Sequence, residues 1–466
     1  MVALVSSSIT EEVLLSWQIL KKLGVIPDDF PEPEARAAIV TASSESNIKA
    51  ITNEKEAREA VTQLIKEFGS VFDEEGPLRT MKGDPMRIHM KKNVTTTPLH
   101  ICTPRKTPYA YMDTAKAKLD SDVEKGIIEK VPVGTPSRWC SAMSFVPKPG
   151  GKVRSVVDLV QLNKFVERPA HPFPAPKDIV ARIPKGAKWF AVFDAANGYW
   201  QIPLEEESRE YTTFMTEWGR FRYLRAPMGL VLSGDKFCTR TDRALAGVPG
   251  VHKLVDDILV YGNNHAELLQ RIKMVFERCQ EWGITLSKSK YQIGPVVQFA
   301  GYIVSKEGTR KNPKLVEAIA AFPAPKDLTN LRSLMGLVNR FNDCNPDLKQ
   351  AMVSWQSLLK KANAFVWGDT HEAALTVKEI ITNPDGPVLK RFDQELPIQL
   401  LTDASRTGVG FCLVQTKVGS KVPLLIQAGS RFLSSAEKNY AVVELELLAI
   451  QWAVEKCPLY LAGAEF

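Results

Sequence analysis

Cysteine is scarce in this 466-residue chain: its seven residues lie apart, at positions 102, 140, 238, 279, 344, 412 and 457. None belongs to a C-x-x-C pair, which argues against a zinc site of the usual spacing. An odd number of scattered cysteines also argues against a disulfide framework. The pattern predicts a reducing, intracellular compartment.

Long apolar runs are also missing. No window of about 18 uninterrupted apolar residues occurs, so no membrane span is predicted. The first residues, MVALVSSSIT, lack the basic and apolar regions of a signal peptide. The chain has no H-E-x-x-H motif and no G-x-x-x-x-G-K-[ST] loop, since Gly151-Lys152 is followed by Val153. Common zinc hydrolases and P-loop nucleotide hydrolases are therefore excluded.

Charge is mildly basic, with a net charge of +7 and a pI of about 8.8. The distribution is more informative than the total. Between Lys148 and Lys188 nine Lys or Arg residues face only three acids. This local excess suits contacts with phosphate groups, and a solvated loop face explains it equally well.

The hydrophobic pattern predicts several domains of mixed helix and strand. A helix at 11–23 and a linker at 28–56 precede a helix at 56–68 and an extended stretch at 78–110. Strands are predicted at 139–159 (two, with a turn at Pro149-Gly150-Gly151), 188–194, 221–231, 252–262 (a hairpin), 397–405, 408–415 and 422–433. Helices are predicted at 113–125, 234–246, 264–282 and from the Ser434–Glu437 capping box onward. Beyond residue 305 the period becomes helical, and two helices are predicted within 314–340, separated by the break Pro323-Ala-Pro325. Their predicted core residues are Leu315, Ile319, Phe322, Leu328, Leu331, Met335 and Val338.

Two adjacent acids, Asp256 and Asp257, stand between apolar runs in the stretch HKLVDDILVYG. On its own this pattern is typical of a hairpin turn. Asp194 changes its meaning, because it ends the apolar run KWFAVFD. If the two strands are neighbours, the carboxylates meet and need cations between them. Two Mg²⁺ ions so held can support in-line phosphoryl transfer.

The order of five segments closely resembles the reverse transcriptase of gypsy-type long-terminal-repeat retrotransposons. They are KPGGKVRSVVDLVQLNK, VFDAANGYWQIPLEEESREYTTF, FRYLRAPMGLVLSGDKF, LVDDILVYG and FAGYIVSKEG. The resemblance runs from about residue 85 to the end. A weaker one links residues 10–32 to the tail of the family's aspartic protease. Without Asp-Thr-Gly or Asp-Ser-Gly, no protease activity is expected.

The resemblance implies an α+β fold: a right-hand polymerase with fingers, palm and thumb, followed by a truncated α/β ribonuclease H-like domain. The implied boundaries are 1–32 for the protease remnant, 33–84 for a linker, 85–305 for fingers and palm, 306–388 for thumb and connection helices, and 389–466 for the ribonuclease H-like domain.

The resemblance also assigns roles to residues. Asp194, Asp256 and Asp257 match the catalytic acids that hold two Mg²⁺ ions, for which Mn²⁺ can substitute. Nucleotide binding falls to Lys148, Arg154, Met228 and Tyr199, the last as an aromatic gate against a ribose 2′-hydroxyl. The primer grip matches Phe299, Ala300, Gly301 and Tyr302. The implied partners are an RNA or DNA template, a primer strand and deoxynucleoside triphosphates.

In the C-terminal segment, Asp403 and Glu446 match the first two metal-binding acids of ribonuclease H. Glu446 is preferred to Glu444 because it fits the register of the family motif. The family's two later acids would follow the last residue, so we expect no ribonuclease H activity and an exposed edge on the 397–403 strand.

Two departures from the family pattern lie near the polymerase site. Leu254 stands where the family usually has Tyr or Phe, and Gly234-Asp235 replaces a more usual Pro-Ala pair. The resemblance therefore implies either an RNA-directed DNA polymerase of reduced activity or an impaired element relic that binds nucleic acid without turnover. The expected location is the cytoplasm, the nucleus or both, with a virus-like particle as a further site.

Overall fold

The computed structural model describes residues 55–466, except 57, 75, 77, 93, 149, 343–346, 360–364, 384–387, 421 and 465. The predicted protease remnant, its helix at 11–23, most of the linker and Pro149 lie outside the described residues. The described chain forms two compact units. The first, here the N-terminal unit, contains residues 55–179 and 189–294. The second, the C-terminal unit, contains residues 180–188 and 295–466.

The N-terminal unit combines nine described strands with helices. The strands are β1 (Ile128–Lys130), β2 (Ser141–Pro147), β3 (Val153–Val157), β4 (Trp189–Asp194), β5 (Phe214–Thr216), β6 (Gly219–Tyr223), β7 (Val251–Leu254), β8 (Asp257–Gly262) and β9 (Gln292–Gly294). The helices are 58–67, Met112–Glu124, Val160–Phe165, Pro176–Ala181 (which crosses into the other unit), Glu206–Arg209, Val231–Leu245 and His265–Trp282.

These strands form two sheets, ordered β1-β6-β5-β2-β3 and β7-β8-β4-β9. Strand β4 is central in the second sheet, with antiparallel neighbours β8 and β9. Its continuous apolar run is explained by burial on both faces, since Phe190 and Phe193 are fully buried. Phe193 packs edge to face on Phe276 of the helix His265–Trp282, with ring centroids 5.1 Å apart. This packing fixes the end of β4, and with it Asp194.

The C-terminal unit contains two three-stranded antiparallel sheets. The first joins β10 (Val296–Phe299), β11 (Tyr302–Ser305) and β12 (Gly308–Lys311), and the second joins β13 (Ile398–Ala404), β14 (Gly408–Thr416) and β15 (Pro423–Phe432). The helices are Pro313–Ala320, Leu328–Val338, Asp347–Ala351, Asp369–Ala373, Thr376–Thr382, Val442–Lys456 and Pro458–Leu461.

The segment between β12 and β13 forms an apolar core of its own, as its helical periodicity predicted. Ile319, Leu331, Leu334 and Val338 are fully buried there, around the equally buried Trp355. In the last sheet, β14 lies in the middle and β13 at an edge. The predicted edge position of the 397–403 strand is therefore confirmed. The helix Val442–Lys456 packs against this sheet through Leu445, Ala449 and Ala453.

Three sequence predictions of elements were wrong in extent. The strand predicted at 221–231 ends at Tyr223, because Pro227 has no N–H for a ladder and the next helix begins at Val231. The region predicted to be helical beyond residue 305 first contains the strand β12, Gly308–Lys311. Its first helix begins only at Pro313.

The third error concerns the capping box at Ser434 and Glu437, whose reciprocal hydrogen bonds do form. They close only the short 3₁₀ turn Glu437–Asn439, because Tyr440 is extended. The long helix begins at Val442, where Glu444 accepts a hydrogen bond from the backbone N–H of Ala441 at 2.7 Å. No helix in the described part of the chain is both long and apolar enough to cross a membrane.

Candidate catalytic carboxylate site

Three acids predicted from the sequence meet at one end of the sheet β7-β8-β4-β9. Asp194 is the cross-strand partner of Asp257, so their side chains lie on the same face. Asp256 lies in the tight turn between β7 and β8, and its carbonyl accepts a hydrogen bond from the N–H of Ala195 at 2.9 Å. Val255, a β-branched residue, adopts φ +55° in this turn. Such a conformation is strained, and here it accompanies the placement of two acids beside Asp194.

The carboxylates interact electrostatically. Burial, followed by the charges of Asp256 and Asp194, raises the pKa of Asp257 to about 6. Burial also raises the pKa of Asp256, and Asp194 adds to that effect. Lys290 donates a hydrogen bond to Oδ2 of Asp194 at 2.6 Å, which raises the pKa of the lysine. The acids thus form a site of excess negative charge with one cation at its side.

The three carboxylates are not arranged as a complete set of metal ligands. Over the described residues, no three or more His, Cys, Asp or Glu side chains are grouped so that they could hold a metal ion. One of the three carboxylates, that of Asp194, is engaged in the ion pair with Lys290. The mutual repulsion seen in the pKa values of Asp256 and Asp257 nevertheless fits a site that gains from a bound cation.

Cations from the β2–β3 hairpin lie near Lys290, the lysine that binds Asp194. The backbone N–H of Lys148 bonds to the carbonyl of Lys152 at 2.7 Å and closes the turn, and Arg154 pairs with Val146. Burial, then the charges of Arg154 and Lys290, lower the pKa of Lys148. Of the predicted phosphate-binding residues, Lys148 therefore lies close enough to Arg154 and Lys290 for their positive charges to act on it.

Tyr199 lies next to the acids, on a 3₁₀ turn that follows Asn197 in the left-handed conformation. Its ring packs edge to face on Phe237, with centroids 5.7 Å apart. Burial raises the pKa of the Tyr199 hydroxyl, and the negative charge of Asp256 adds to this shift. The predicted sugar gate and the carboxylates therefore share one site.

Two anchoring residues escaped the sequence analysis. Gln201 is fully buried, and its side-chain amide donates to the carbonyls of Ala196 and Thr285 at 2.6 and 3.0 Å and accepts from the N–H of Thr285 at 3.0 Å. It fastens the Tyr199 turn to the segment after the long helix. A polar residue in the otherwise apolar stretch WQIPL was the only signal.

The second is Asn163, which holds the segment of the half-buried Met228. Its side chain donates to the carbonyl of Gly229 at 2.8 Å and accepts from the N–H of Val231 at 3.0 Å. Gly229 has φ +89°, a conformation that favours glycine. Nothing in the sequence next to Asn163 indicates this long-range contact.

The departure Gly234-Asp235 has a structural counterpart. Asp235 is almost fully buried, and Arg168 binds it through two hydrogen bonds, from Nε at 2.7 Å and from Nη2 at 3.0 Å. A Cβ atom at Gly234 would lie 3.6 Å from the hydroxyl oxygen of Tyr199. Gly234 therefore faces the hydroxyl of Tyr199, whereas Asp235 forms a buried ion pair with Arg168.

The predicted primer-grip residues form a two-residue hairpin turn in the C-terminal unit. Phe299 pairs with Tyr302 across it, and Ala300 and Gly301 have φ +55° and +83°. Two positive φ angles match the twist of the flanking strands. Lys311 donates to the Tyr302 hydroxyl at 2.9 Å and lies 4.1 Å from the ring centroid. The contact with Lys311 thus joins the strand after the turn to β12 of the same sheet.

A second acidic pair lies in the C-terminal unit. Burial, followed by the charge of Glu446, raises the pKa of Asp403 to about 7, and burial raises the pKa of Glu446. Oδ2 of Asp403 is buried without a hydrogen-bond partner in the described structure. Glu444, in contrast, caps its helix at Ala441. The structure therefore places Glu446, not Glu444, beside Asp403.

Fold and carboxylate pattern agree with comparisons against known families. Residues 146–304 match the model described as reverse transcriptase (RNA-dependent DNA polymerase). Residues 367–466 match the model described as an RNase H-like domain found in reverse transcriptase. The chain thus falls in the class of reverse-transcriptase proteins that carry an RNase H-like domain.

Similar proteins narrow this class. The chain is 29% identical over 371 residues to the retrovirus-related Pol polyprotein from transposon 297 of Drosophila melanogaster, covering 77% of this chain and 34% of that protein. It is 30% identical over 325 residues to the Pol polyprotein from transposon gypsy of the same organism, covering 67% and 31%. The chain belongs to the gypsy-type retrotransposon Pol family and spans about a third of the length of these relatives.

A solved structure supports the fold. The foamy viral protease-reverse transcriptase in complex with an RNA/DNA hybrid superimposes with a TM-score of 0.75 at 20% identity, covering 89% of this chain and 55% of that one. The chain has the mixed helix-and-sheet architecture of a right-hand polymerase with a ribonuclease H-like domain.

Proposed function

We propose that the chain is an RNA-directed DNA polymerase that extends a primer with deoxynucleotides. One observation carries the proposal: Asp194, Asp256 and Asp257 meet at a strand end where Lys290 binds Asp194, and the charge of Lys290 reaches Lys148. Acids that repel each other next to fixed cations suit a substrate that brings both divalent metal and triphosphate.

The three carboxylates would hold divalent cations, Mg²⁺ or Mn²⁺. The raised pKa values of Asp256 and Asp257 support this assignment, since bound cations would relieve the repulsion that causes part of the shift. When bound, two such ions activate the attacking hydroxyl and stabilise the leaving oxygen. Lys148 and Arg154 would neutralise the triphosphate, and Tyr199 would contact the sugar where a 2′-hydroxyl would project.

The proposed partners are an RNA or DNA template, a primer strand and deoxynucleoside triphosphates. Support comes from the matched family description and from the foamy viral neighbour, which was solved with an RNA/DNA hybrid. The helices between Pro313 and Val338 would contact backbone phosphates rather than bases.

Primer extension on a poly-ribonucleotide template with Mg²⁺ or Mn²⁺ tests the proposal. We expect Asp256→Asn to abolish extension, because a neutral amide no longer attracts the cation. Asp113→Asn is the matched control, since Asp113 is an exposed acid at the start of another helix. Equal extension by wild type and Asp256→Asn would refute the assignment.

For the ribonuclease H-like domain we propose that this 466-residue chain, assayed alone, does not cleave the RNA of a hybrid. Asp403 and Glu446 would supply only two acids within the described residues of this domain. Mg²⁺-dependent hybrid cleavage that disappears in Asp403→Asn would overturn this proposal.

A second candidate function is nucleic-acid binding without turnover. The Asp194–Lys290 ion pair favours it, because that pair competes with a divalent ion for one of the carboxylates. Template binding by wild type without extension in either metal would support this candidate over the polymerase.

A further inference from the structure

The helix Val231–Leu245 carries two different faces. Gly234 and Phe237 face the Tyr199 gate. Positions 236, 239, 240 and 243 follow the i, i+3, i+4, i+7 spacing and therefore share the opposite face. Three of these four residues, Lys236, Arg240 and Arg243, are cationic. The carboxylate site does not use this second face.

This second face lines a cavity of about 310 Å³, within the N-terminal unit. Its other walls are the segment Lys82–Met86 and Trp282. The volume falls at the lower end of the range for small-molecule pockets, and it suits a single nucleotide unit. We refer to it as the back cavity.

The wall of the back cavity is held in place by a buried arginine. Arg240 is buried, and its guanidinium donates to the carbonyls of Met81, at 3.1 Å, and Asp84. Gly83 has φ +119°, and a Cβ atom there would lie 3.4 Å from Cζ of Arg240. A glycine at this point therefore leaves room above the guanidinium.

Positive charge in the back cavity is poorly compensated. In the part of the chain that the structure describes, neither Lys236 nor Arg243 forms an ion pair, and the carboxylate of Asp84 is the one acid in the lining. Lys82 pairs at 3.5 Å with the exposed Glu281 and lies 5.5 Å from the Trp282 ring centroid. Burial lowers the pKa of Arg240, the charge of Asp84 raises it, and the charge of Arg243 lowers it further. Cations that repel each other in a concave wall attract an anion.

We propose that the back cavity binds the phosphate of a nucleotide unit, presented either by a free nucleotide or by a nucleic-acid strand. Lys236 and Arg243 would contact the phosphate, since charge-assisted hydrogen bonds to phosphate are strong. Trp282 would offer an apolar ring edge beside the base or sugar. This site does not depend on the polymerase proposal, because it lies on the other face of the helix and needs no divalent ion.

Two binding assays in EDTA test the site, because removing divalent ions suppresses nucleotide binding at the carboxylates. One arm titrates fluorescent N-methylanthraniloyl-ATP, and the other a fluorescein-labelled single-stranded oligonucleotide. The variant is Lys236→Gln/Arg243→Gln. The control is Lys66→Gln/Lys273→Gln, which removes two exposed lysines of the same unit outside the cavity.

We expect the cavity variant to weaken binding about tenfold or more in at least one arm, because two charge-assisted contacts to the phosphate are lost. A loss with ATP identifies a free-nucleotide site, and a loss with the oligonucleotide alone identifies a strand phosphate. In the strand case the salt dependence also falls by about one to two units of slope.

Unchanged affinity in both arms, or an equal loss in variant and control, would overturn the proposal. Equal thermal unfolding of the two variants checks that folding is intact. Asp256→Asn separates the proposals, since it is expected to lose primer extension and keep binding in the back cavity.

Discussion

At the scale of single residues, side chains around Tyr199 determine how the site is held. Phe237 supports the ring, Gly198 begins its turn, and Gly234 faces its hydroxyl. A Cβ atom at Gly198 would lie only 2.8 Å from Cζ of Phe237, whereas one at Gly234 would make an ordinary contact at 3.6 Å. The position of Gly198 therefore has no room for a side chain, whereas the position of Gly234 can accept a methyl group.

This difference gives a matched pair of variants. Gly234→Ala is expected to stabilise the protein by about 0.5–1 kcal/mol, because alanine restricts the unfolded chain and favours the helix. Gly198→Ala is expected to destabilise it by about 1–3 kcal/mol through overpacking against Phe237. Urea denaturation followed by circular dichroism measures both, and destabilisation by Gly234→Ala would show that the helix start tolerates no side chain.

Leu254 is the second residue of interest, since it ends β7 as the cross-strand partner of Asp257. We expect Leu254→Tyr to increase primer extension about two- to tenfold, because an aromatic ring adds roughly 0.5–1.5 kcal/mol of packing. Leu254→Ala serves as the control and should lower the rate. Kinetics at saturating nucleotide measure both, and the same rate for Leu254→Tyr as for wild type would show that this position does not limit activity.

At the scale of elements, the helix Val231–Leu245 contacts Tyr199, the β7–β8 hairpin and the segment at 168–171. Arg168 binds the buried Asp235, and Asp242 accepts from His171 at 2.9 Å and from Lys253 at 3.0 Å. Lys253 belongs to β7, next to the turn that carries Asp256. These polar contacts fix the position of the helix relative to β7 and the 168–171 segment, because ion pairs are more directional than apolar packing.

Removing Arg168 tests that fastening. We expect Arg168→Ala to lower the unfolding temperature by several degrees, because Asp235 is left buried and unpaired. The double variant Arg168→Ala/Asp235→Ala should recover most of the loss, since no charge then remains buried. Differential scanning fluorimetry measures both variants, and a double variant less stable than Arg168→Ala alone would contradict this account.

At the scale of the whole molecule, each unit contains acids whose pKa is raised: Asp256 and Asp257 in one, Asp403 and Glu446 in the other. A folded-state pKa above the unfolded value gives stability that is complete at low pH and is lost as pH rises through the folded pKa. For Asp403 that loss extends from about pH 4 to about pH 7.

Asp403→Asn therefore has a pH-dependent effect. Relative to wild type, we expect it to be more stabilising at pH 8 than at pH 5 by roughly 2–3 kcal/mol, since two pH units of the shift lie between these values. Thermal unfolding at both pH values measures the difference. A stabilisation independent of pH would indicate that lost polarity, not lost charge, is the cause.

The sequence by itself determined the family, the mixed α+β class, and the longer strands and helices of the described chain, because apolar periodicity and ordered motifs are local signals. It also indicated Asp194, Asp256 and Asp257 as one set. It did not predict the short strands β1, β5 and β9 to β12 or short helices such as Val160–Phe165. Only the tertiary structure paired Asp194 with Asp257, engaged Asp194 with Lys290, buried Asp235 on Arg168 and turned a basic helix face toward a cavity. These contacts join residues far apart in the chain, and no local pattern encodes which distant partner a side chain meets.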